Sequence, residues 1–390
     1  MKKVLSFSLM LIVGLLLSQL LPGVMGEGYE ILSQVVFMLL GTCLAFIMIN
    51  VGREFELDKN NVGSYAKDYC VAMLAAAAPW ILIAVYYIFF LLPPEFWGSG
   101  AAWKETLLLS RFAAPTSAGI LFSMLAALGL QQRWIYRKIQ VLAIFDDLDT
   151  ILLMIPLQIA MIGLQWQMGA ILVIVFGLLY IGWKKMSHFQ MRQEWWAILC
   201  YALLVFSLTQ LIHVVTKHFF GAEDALHIEV LLPAFVLGMV IKREHSESKN
   251  DERITTAISL LFMLLVGMSM PQISASVSVT GQSIMASQPM PSWGVIALHV
   301  LAVSLLSNIG KLVPMLFYRN HSLKERLALS IGMFTRGEVG AGVIFIALGY
   351  NIGGAALLVS VLTLVLNLVL TGGFVLIVKR LAISAYHDEE

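Results

Sequence analysis

Three carboxylates stand within four residues of one apolar run, Ala143-Ile144-Phe145-Asp146-Asp147-Leu148-Asp149-Thr150. Adjacent residues of a helix project about 100° apart, so Asp146 and Asp147 face different partners, whereas Asp149 shares the face of Asp146. A charged side chain near the centre of a membrane helix costs roughly 2.5–3.5 kcal/mol, so these acids are expected to face a basic group, water or a cation. The run therefore predicts a functional site inside a bundle of membrane helices.

The composition excludes an ordinary soluble protein. Of the 390 residues, 59% are hydrophobic and 13% are charged, whereas soluble domains have about 25% charged residues. Apolar runs recur from Val4 to Val378, and most of them reach the roughly 20 residues that a spanning helix needs. Strands of a β-barrel would alternate in polarity, whereas residues 355–378 are apolar on nearly every face. The chain is therefore predicted to be an all-α polytopic membrane protein.

Charge and motif content exclude further classes. The net charge of +1 gives no reason to expect nucleic acid as a partner. The three cysteines have no metal-ligand spacing. The sequence also lacks a His-Glu-x-x-His pair, a Gly-x-Ser-x-Gly elbow and a phosphate loop. We therefore expect no enzymatic activity and no cofactor.

Twelve membrane spans are predicted, at roughly residues 4–22, 30–52, 68–92, 105–129, 139–163, 168–183, 193–216, 227–241, 254–270, 293–318, 327–349 and 354–378. With these spans, 20 of the 25 lysines and arginines fall on one side of the membrane, and only Lys104 and Lys217 fall on the other. The positive-inside rule then predicts that both termini are cytoplasmic. The first apolar run is expected to remain as a span and not to be cleaved as a signal peptide.

The paired acids of span five are predicted to form a cation or proton site. Two neighbouring carboxylates in a low dielectric cannot both ionise unless a cation or a basic side chain compensates them. Asp146 and Asp147 should therefore bind Na⁺, K⁺ or Li⁺ when deprotonated and become neutral when protonated. Lys311 of span ten is the natural partner for one of them; the alternative is that this lysine snorkels to the cytoplasmic face.

Other charges also lie inside the predicted spans. Arg336 and Glu338 are expected to neutralise buried partners, whereas Arg111 lies nearer the outer edge and is expected to snorkel. Asp149 could extend the site or line its outer vestibule. The alternative interpretation of the whole set is a buried salt-bridge cluster that only locks the bundle.

Two of the charged spans contain predicted helix breaks. Span four reads Ala113-Ala114-Pro115-Thr116-Ser117-Ala118-Gly119, in which Pro115 removes a backbone donor and Thr116 and Ser117 can bond freed carbonyls. Span eleven contains the glycine-rich run at residues 332–342. Spans three to five and ten to twelve run in opposite orientations, each with its interrupted helix in the middle. This arrangement predicts inverted-topology repeats with two broken crossing helices.

Five motifs occur in order along the chain: Ala114-Pro115-Thr116-Ser117-Ala118-Gly119-Ile120, Phe145-Asp146-Asp147, Phe262-Met263-Leu264-Leu265-Val266-Gly267-Met268, Gly310-Lys311-Leu312 and Thr335-Arg336-Gly337-Glu338-Val339. With them the chain resembles the monovalent cation/proton antiporter superfamily, particularly the bacterial sodium/proton antiporters of the second cation/proton antiporter family. The resemblance covers most of the chain and implies the sodium/proton antiporter fold.

The resemblance implies roles for the predicted site residues. Asp147 would be the main cation and proton ligand, and Asp146 would pair with Lys311. Thr116 and Ser117 would line the site, so that a transported Na⁺ meets oxygens of Asp147, Asp146 and Thr116. The double aspartate with a lysine is similar to the electrogenic branch. The resemblance also implies a homodimer in the bacterial cytoplasmic membrane with a role in pH homeostasis.

Three features depart from the family pattern. The usual proline before Arg-Gly-Glu is replaced by Thr335, so the break in span eleven must depend on glycine. The N-terminal region looks one helix shorter than in many relatives. Asp149 is an additional acid whose role the resemblance does not assign.

The resemblance also implies a division of the chain by function. The predicted parts are residues 1–66 (scaffold and dimerisation helices), 67–163 (core transport helices three to five), 164–216 (linking helices), 217–292 (second part of the scaffold), 293–379 (core transport helices ten to twelve) and 380–390 (a short cytoplasmic tail).

The predicted function is exchange of a monovalent cation, foremost Na⁺, for protons by alternating access, with the two ions competing for Asp147. One alternative is a sodium-coupled symporter for an organic solute on the same fold, although few polar ligands beyond Thr116, Ser117 and Asn308 suggest it. Another is a gated cation channel such as a potassium efflux system, but its usual C-terminal nucleotide-binding domain has no counterpart in this sequence.

Overall fold

The computed structural model describes residues 2–26, 28–54, 62–127, 134–162, 166–185, 188–220, 228, 230–242, 249–270, 283–350 and 352–387. These residues form helices and their connections, with one isolated β-bridge between Phe189 and Ile241. The α-helices are α1 Lys2–Met25, α2 Gly28–Glu54, α3 Val62–Tyr86, α4 Gly100–Ser110, α5 Ala118–Ala127, α6 Trp134–Ile162, α7 Trp166–Lys185, α8 Trp195–Phe220, α9 Leu231–Val240, α10 Lys249–Met268, α11 Trp293–Gly310, α12 Leu323–Gly332, α13 Glu338–Gly349 and α14 Gly354–His387.

Shorter helical turns extend or connect these helices. A π-helical turn, Tyr87–Leu91, continues α3, and 3₁₀ turns occur at Pro94–Phe96, Arg111–Ala113 and Val313–Leu316. Each of the last two lies inside a predicted span, where the helix tightens before it stops. Tightening of this kind satisfies terminal carbonyls that have no partner further along the helix.

The prediction of a helical membrane protein is confirmed. Within the described residues, seven segments are long and apolar enough to cross a membrane, namely Leu5–Met25, Gly28–Arg53, Gly63–Leu91, Gly100–Ala126, Trp195–Phe219, Trp293–Leu316 and Gly354–Ala385. Helix α6 is not among them because three aspartates and two basic residues interrupt its apolar sequence. Helical residues occur in each of the twelve predicted ranges. The number of spans and the inverted repeat stay predictions.

The chain divides into two compact units. The first contains residues 1–26, 61–161 and 266–390, and the second contains residues 27–60 and 162–265. Helix α1 thus belongs to the same unit as the predicted transport helices, because it packs along α14, where Gly372 lies against the side chain of Ser8. The division into transport core and scaffold concerns function and stays a prediction.

The second unit is built around the contact of α2 with α9. Gly52 and Gly238 lie opposite each other at this contact, and a Cβ on either one would meet backbone atoms of the other helix. Small residues let membrane helices approach until their backbones touch, which increases van der Waals contact. At the end of α2, Arg53 donates to the side chains of Asn50 and Gln193 at 3.0 and 2.7 Å.

Polar side chains connect helices inside the first unit. Lys138 of α6 and Tyr318 both donate to the carboxylate of Asp68 on α3, each at 2.7 Å. Asn367 of α14 donates to Ser304 of α11 at 3.1 Å. Hydrogen bonds of this kind contribute stability where lipid offers no alternative partner. They join α6, which carries the three aspartates, to α3, and they join α14 to α11.

Candidate functional site

Two interruptions of helical structure meet inside the first unit. Residues 114–117 separate the turn Arg111–Ala113 from α5, and residues 333–337 separate α12 from α13. The backbone amide of Ser117 donates to the carbonyl of Thr335 at 3.0 Å. The two segments are therefore bonded directly to each other, and we call their meeting point the crossing.

Side chains strengthen the crossing. The hydroxyl of Thr116 donates to the carbonyl of Met333 at 3.2 Å. A Cβ at Gly337 would lie 2.9 Å from Oγ of Ser117 and 2.8 Å from Cδ1 of Ile120, so a larger residue there would make these side chains shift.

The two breaks have different local causes. Pro115 lacks an amide proton and cannot continue the hydrogen bonding of α4, which ends in the turn Arg111–Ala113. At the second break, the amides of Met333 and Phe334 bond the carbonyls of Ser330 and Ile331 at 3.0 Å each. Helix α12 thus ends by tightening into a 3₁₀ turn, and the carbonyls of Gly332 and Met333 accept from side chains.

Asp146 of α6 is bonded from two other segments. The ammonium of Lys311, which follows the last residue of α11, lies 2.9 and 2.8 Å from its two carboxylate oxygens. Both side chains are fully buried. The backbone amide of Thr116 donates to Oδ2 of Asp146 at 2.8 Å, just before the positive N-terminal end of α5. Asp146 is therefore held as a compensated carboxylate.

Asp147 lies on a different side of the same helix. It is 4% exposed, and helical geometry turns it about 100° from Asp146. Lys311 interacts with it electrostatically, but the hydrogen bonds described for the ammonium go to Asp146. Asp147 is thus a buried acid that interacts electrostatically with the lysine to which Asp146 is bonded.

Asp149 is buried as deeply, with 1% exposure. Tyr69 of α3 interacts with its carboxylate and packs edge-on against Phe145, with ring centroids 5.5 Å apart. Oδ2 of Asp149 has no hydrogen-bond donor in the described part of the chain. The acid therefore faces α3 in a different setting from Asp146.

Arg111 is fully buried, so the prediction that it snorkels to the outer edge is wrong. Its Nη2 donates to the backbone carbonyl of Asp149 at 2.8 Å, and its guanidinium lies 4.7 Å from the ring centre of Trp80. The guanidinium stacks on the indole as a cation–π contact. Arg111 stands in the 3₁₀ turn next to the first break, which places its side chain against α6.

Arg336 compensates the end of α12. Its guanidinium is buried and donates from Nη1 to the carbonyl of Met333 at 2.8 Å and from Nη2 to the hydroxyl of Ser307 at 2.9 Å. A cation is favourable at the negative C-terminal end of a helix. Glu338 begins α13, and its side chain lies outside the described residues.

The described charges of the site balance. Three carboxylates and three bases lie buried in this region and interact with one another, namely Asp146, Asp147, Asp149, Arg111, Lys311 and Arg336. If all six are ionised, the set is neutral. One added proton or monovalent cation would then give the set one positive charge.

A family model that matches nearly the whole chain shows which family the protein belongs to. The family model for the transmembrane sodium/hydrogen exchanger matches residues 3–380. The chain belongs to the sodium/hydrogen exchanger family. The predicted superfamily is confirmed, and because the members are transporters, so is the prediction that the chain is not an enzyme. A comparison with curated proteins found no match.

Solved structures support the exchanger fold. Two structures of the sodium proton antiporter MjNhaP1 from Methanocaldococcus jannaschii are similar to this chain. One has a TM-score of 0.58 and 15% identity and covers 95% of this chain and 91% of the other. The second has a TM-score of 0.56 and 14% identity and covers 94% and 90%. At this identity the likeness concerns the fold.

Sequence reasoning did not find every group of this exchanger's site. Ser307 stands one helical turn before Lys311, so its spacing could have indicated it. Trp80 and Tyr69 stand on the third span without any charge that would draw attention to them. Asp146, Lys311, Thr116, Ser117 and Arg336 were predicted, and the structure brings them together around the crossing.

Proposed function

We propose that the chain exchanges a monovalent cation, foremost Na⁺, for protons across the bacterial cytoplasmic membrane. The observation that carries this proposal is the pair of adjacent buried aspartates on α6, beside the buried Lys311. Asp146 is bonded by Lys311 and by an amide, and Asp147 is 4% exposed and interacts electrostatically with the same lysine. A proton or a cation neutralises Asp147, and the two compete because one carboxylate cannot hold both.

Oxygen atoms around the two aspartates suit an alkali cation. Hard cations prefer carboxylate, hydroxyl and carbonyl oxygens. Asp147 and Asp146 would supply carboxylate oxygens. The hydroxyl of Thr116 donates its proton to Met333 and keeps its lone pairs for an ion. Ser117, one residue further on, is assigned to the same lining.

Alternating access follows from this competition. Cytoplasmic Na⁺ displaces a proton from Asp147, the transport helices change their exposure, and protons outside displace the ion. The compensated ends of the broken helices allow charge at mid-membrane without exposing helix dipoles to lipid. In this proposal the protein works as a homodimer with both termini in the cytoplasm and serves pH homeostasis.

Proteoliposomes with an imposed pH gradient test the exchange. Na⁺, K⁺ or Li⁺ is added outside, and dissipation of the gradient is followed with a pH-sensitive dye. The native chain is compared with Asp147→Asn, which removes the competing carboxylate. Glu95→Gln is the control, because Glu95 is an exposed acid on the turn Pro94–Phe96, outside the site.

We expect cation-dependent proton flux in the native chain and in Glu95→Gln, with Na⁺ the most effective ion, and at least a 100-fold loss in Asp147→Asn. If folded native protein gave no proton flux with Na⁺, K⁺ or Li⁺ over a range of pH, exchange would be refuted. This result would favour the organic-solute symporter. Cation conductance without proton flux would favour the channel.

A further inference from the structure

Asp149 is a buried acid that competition at Asp147 does not use. Tyr69 interacts with it from α3. Arg111 interacts with it electrostatically, yet the described hydrogen bond of Arg111 goes to the backbone carbonyl of Asp149 and not to the carboxylate. Oδ2 of Asp149 has no donor in the described structure. An ionised carboxylate in this position is costly, because burial removes hydration that only one oxygen regains.

The three aspartates therefore differ in how firmly their charge is held. Asp146 has an ammonium on both oxygens and an amide on one. The charged or titratable groups that interact with Asp149 are Tyr69, Arg111, Asp146 and Lys311. Of these, Lys311 is bonded to Asp146, and Asp146 itself repels a second negative charge. Of Asp146 and Asp149, Asp149 is thus the acid whose negative charge is less compensated by the described structure.

Charge counting shows what a second titrating acid would do. With three acids and three bases ionised, the described cluster is neutral. Loaded with Na⁺ on Asp147, it carries one positive charge. With a proton on Asp147 alone, it carries the same charge, and exchange is electroneutral. With protons on both Asp147 and Asp149 it carries two, and each cycle moves one net charge.

We propose that Asp149 carries the second proton of an electrogenic exchange. The proposal rests on the proposed antiport function and assigns the charge movement to one residue. On the outside, Na⁺ leaves Asp147, and one proton binds each of Asp147 and Asp149. On the inside both protons leave to water, and Na⁺ binds the ionised Asp147. Two protons enter and one Na⁺ leaves, while Asp146 stays paired with Lys311.

The test is the voltage dependence of the equilibrium at which flux reverses. A potential is set across proteoliposomes with an ion that the flux assay shows is not transported. One net charge per cycle across about 100 mV corresponds to about 2.3 kcal/mol, which shifts the reversing Na⁺ ratio about 50-fold. Electroneutral exchange shifts it not at all. The chains compared are native, Asp149→Asn, Asp149→Glu and Glu95→Gln.

We expect the native chain, Asp149→Glu and Glu95→Gln to show the 50-fold shift. Asp149→Asn should still exchange but show no shift. Asparagine keeps the backbone carbonyl that binds Arg111, so the local structure should persist. Asp149→Ser provides the same comparison if the asparagine chain is not obtained as monodisperse protein.

The outcomes separate this inference from the proposed function. If the native chain exchanged ions without any voltage shift, no second proton would be transported and the inference would be wrong. If Asp149→Asn kept the full shift, the inference would also be wrong, and the second proton would belong to another group such as Lys311. Absence of exchange in the native chain would instead remove the antiport function on which the inference rests.

Discussion

Replacing Lys311 by methionine should destabilise the protein severely, and a second substitution should largely restore it. Methionine has a similar length and no charge, so the single change leaves the buried carboxylate of Asp146 with the amide of Thr116 as its hydrogen-bond donor in the described part of the chain. Lys311 and Asp146 are both fully buried, and both carboxylate oxygens lie within 2.9 Å of the ammonium. Asp146 therefore loses the base bonded to its carboxylate without any gain of solvent, although Arg111 and Arg336 still interact with its charge.

The magnitude follows from the pair's burial. Removing one partner of a buried ion pair costs about 3–5 kcal/mol, whereas replacing both partners by neutral groups of similar volume is often close to neutral. Lys311→Met should thus cost about 3–5 kcal/mol alone and about 1 kcal/mol in an Asp146→Asn background. The coupling energy of the double-mutant cycle should be about 3 kcal/mol.

Unfolding in mixed micelles of a mild detergent and sodium dodecyl sulfate measures these differences. Lys104→Met is the matched control, because Lys104 is exposed and a surface substitution should stay within about 0.5 kcal/mol. The argument would be refuted if Lys311→Met cost no more than Lys104→Met. It would also be refuted if Asp146→Asn failed to recover most of the loss.

Two further predictions concern packing and capping in the first unit. Gly310→Ala should lower the free energy of unfolding by about 1–3 kcal/mol or more, because the new Cβ would lie 2.5 Å from the backbone nitrogen of Pro79. Gly294→Ala on the same helix is the control. Its Cβ would have no atom within 4 Å, so it should be neutral or slightly stabilising in the same unfolding assay. Ser322→Ala should lower the free energy of unfolding by about 1 kcal/mol, because it removes the capping box with Glu325 that begins α12. The control is Ser33→Ala, which changes an exposed serine of α2. If Ser322→Ala destabilised the protein no more than Ser33→Ala, this prediction would be contradicted.

Apolar length and breaking residues carried most of the fold prediction. Pro115 and the glycines at 332–342 located both breaks, because a missing amide and a close backbone approach are properties of single residues. Helix ends were harder to place. Span twelve was predicted to end at residue 378, before Lys379 and Arg380, but α14 continues to His387. Charges mark where the membrane ends, whereas a helix ends only where its hydrogen bonding is interrupted.

The site was partly predictable, because charges are rare in membrane spans. An intramembrane carboxylate needs a basic partner, so the aspartates of span five led to Lys311. Arg111 was misplaced for a geometric reason. Its depth was judged from its distance along a continuous helix, whereas α4 tightens into a 3₁₀ turn and then stops. The side chains of residues next to a helix break have directions that helical periodicity does not predict. Their partners can therefore be identified only from the structure.

The bonds of Asp146 constrain how the helices around it can move in the proposed transport cycle. Its partners come from the crossing, through the amide of Thr116, and from the end of α11, through Lys311. Hydrogen bonds to a charged group are worth about 1.5–3 kcal/mol each, and leaving the carboxylate unbonded in the interior costs more. Sliding the crossing past α6 would break these bonds in every cycle. Movement of α6, α11 and the crossing as one body keeps them, so exposure of Asp147 should change without separating Asp146 from Lys311.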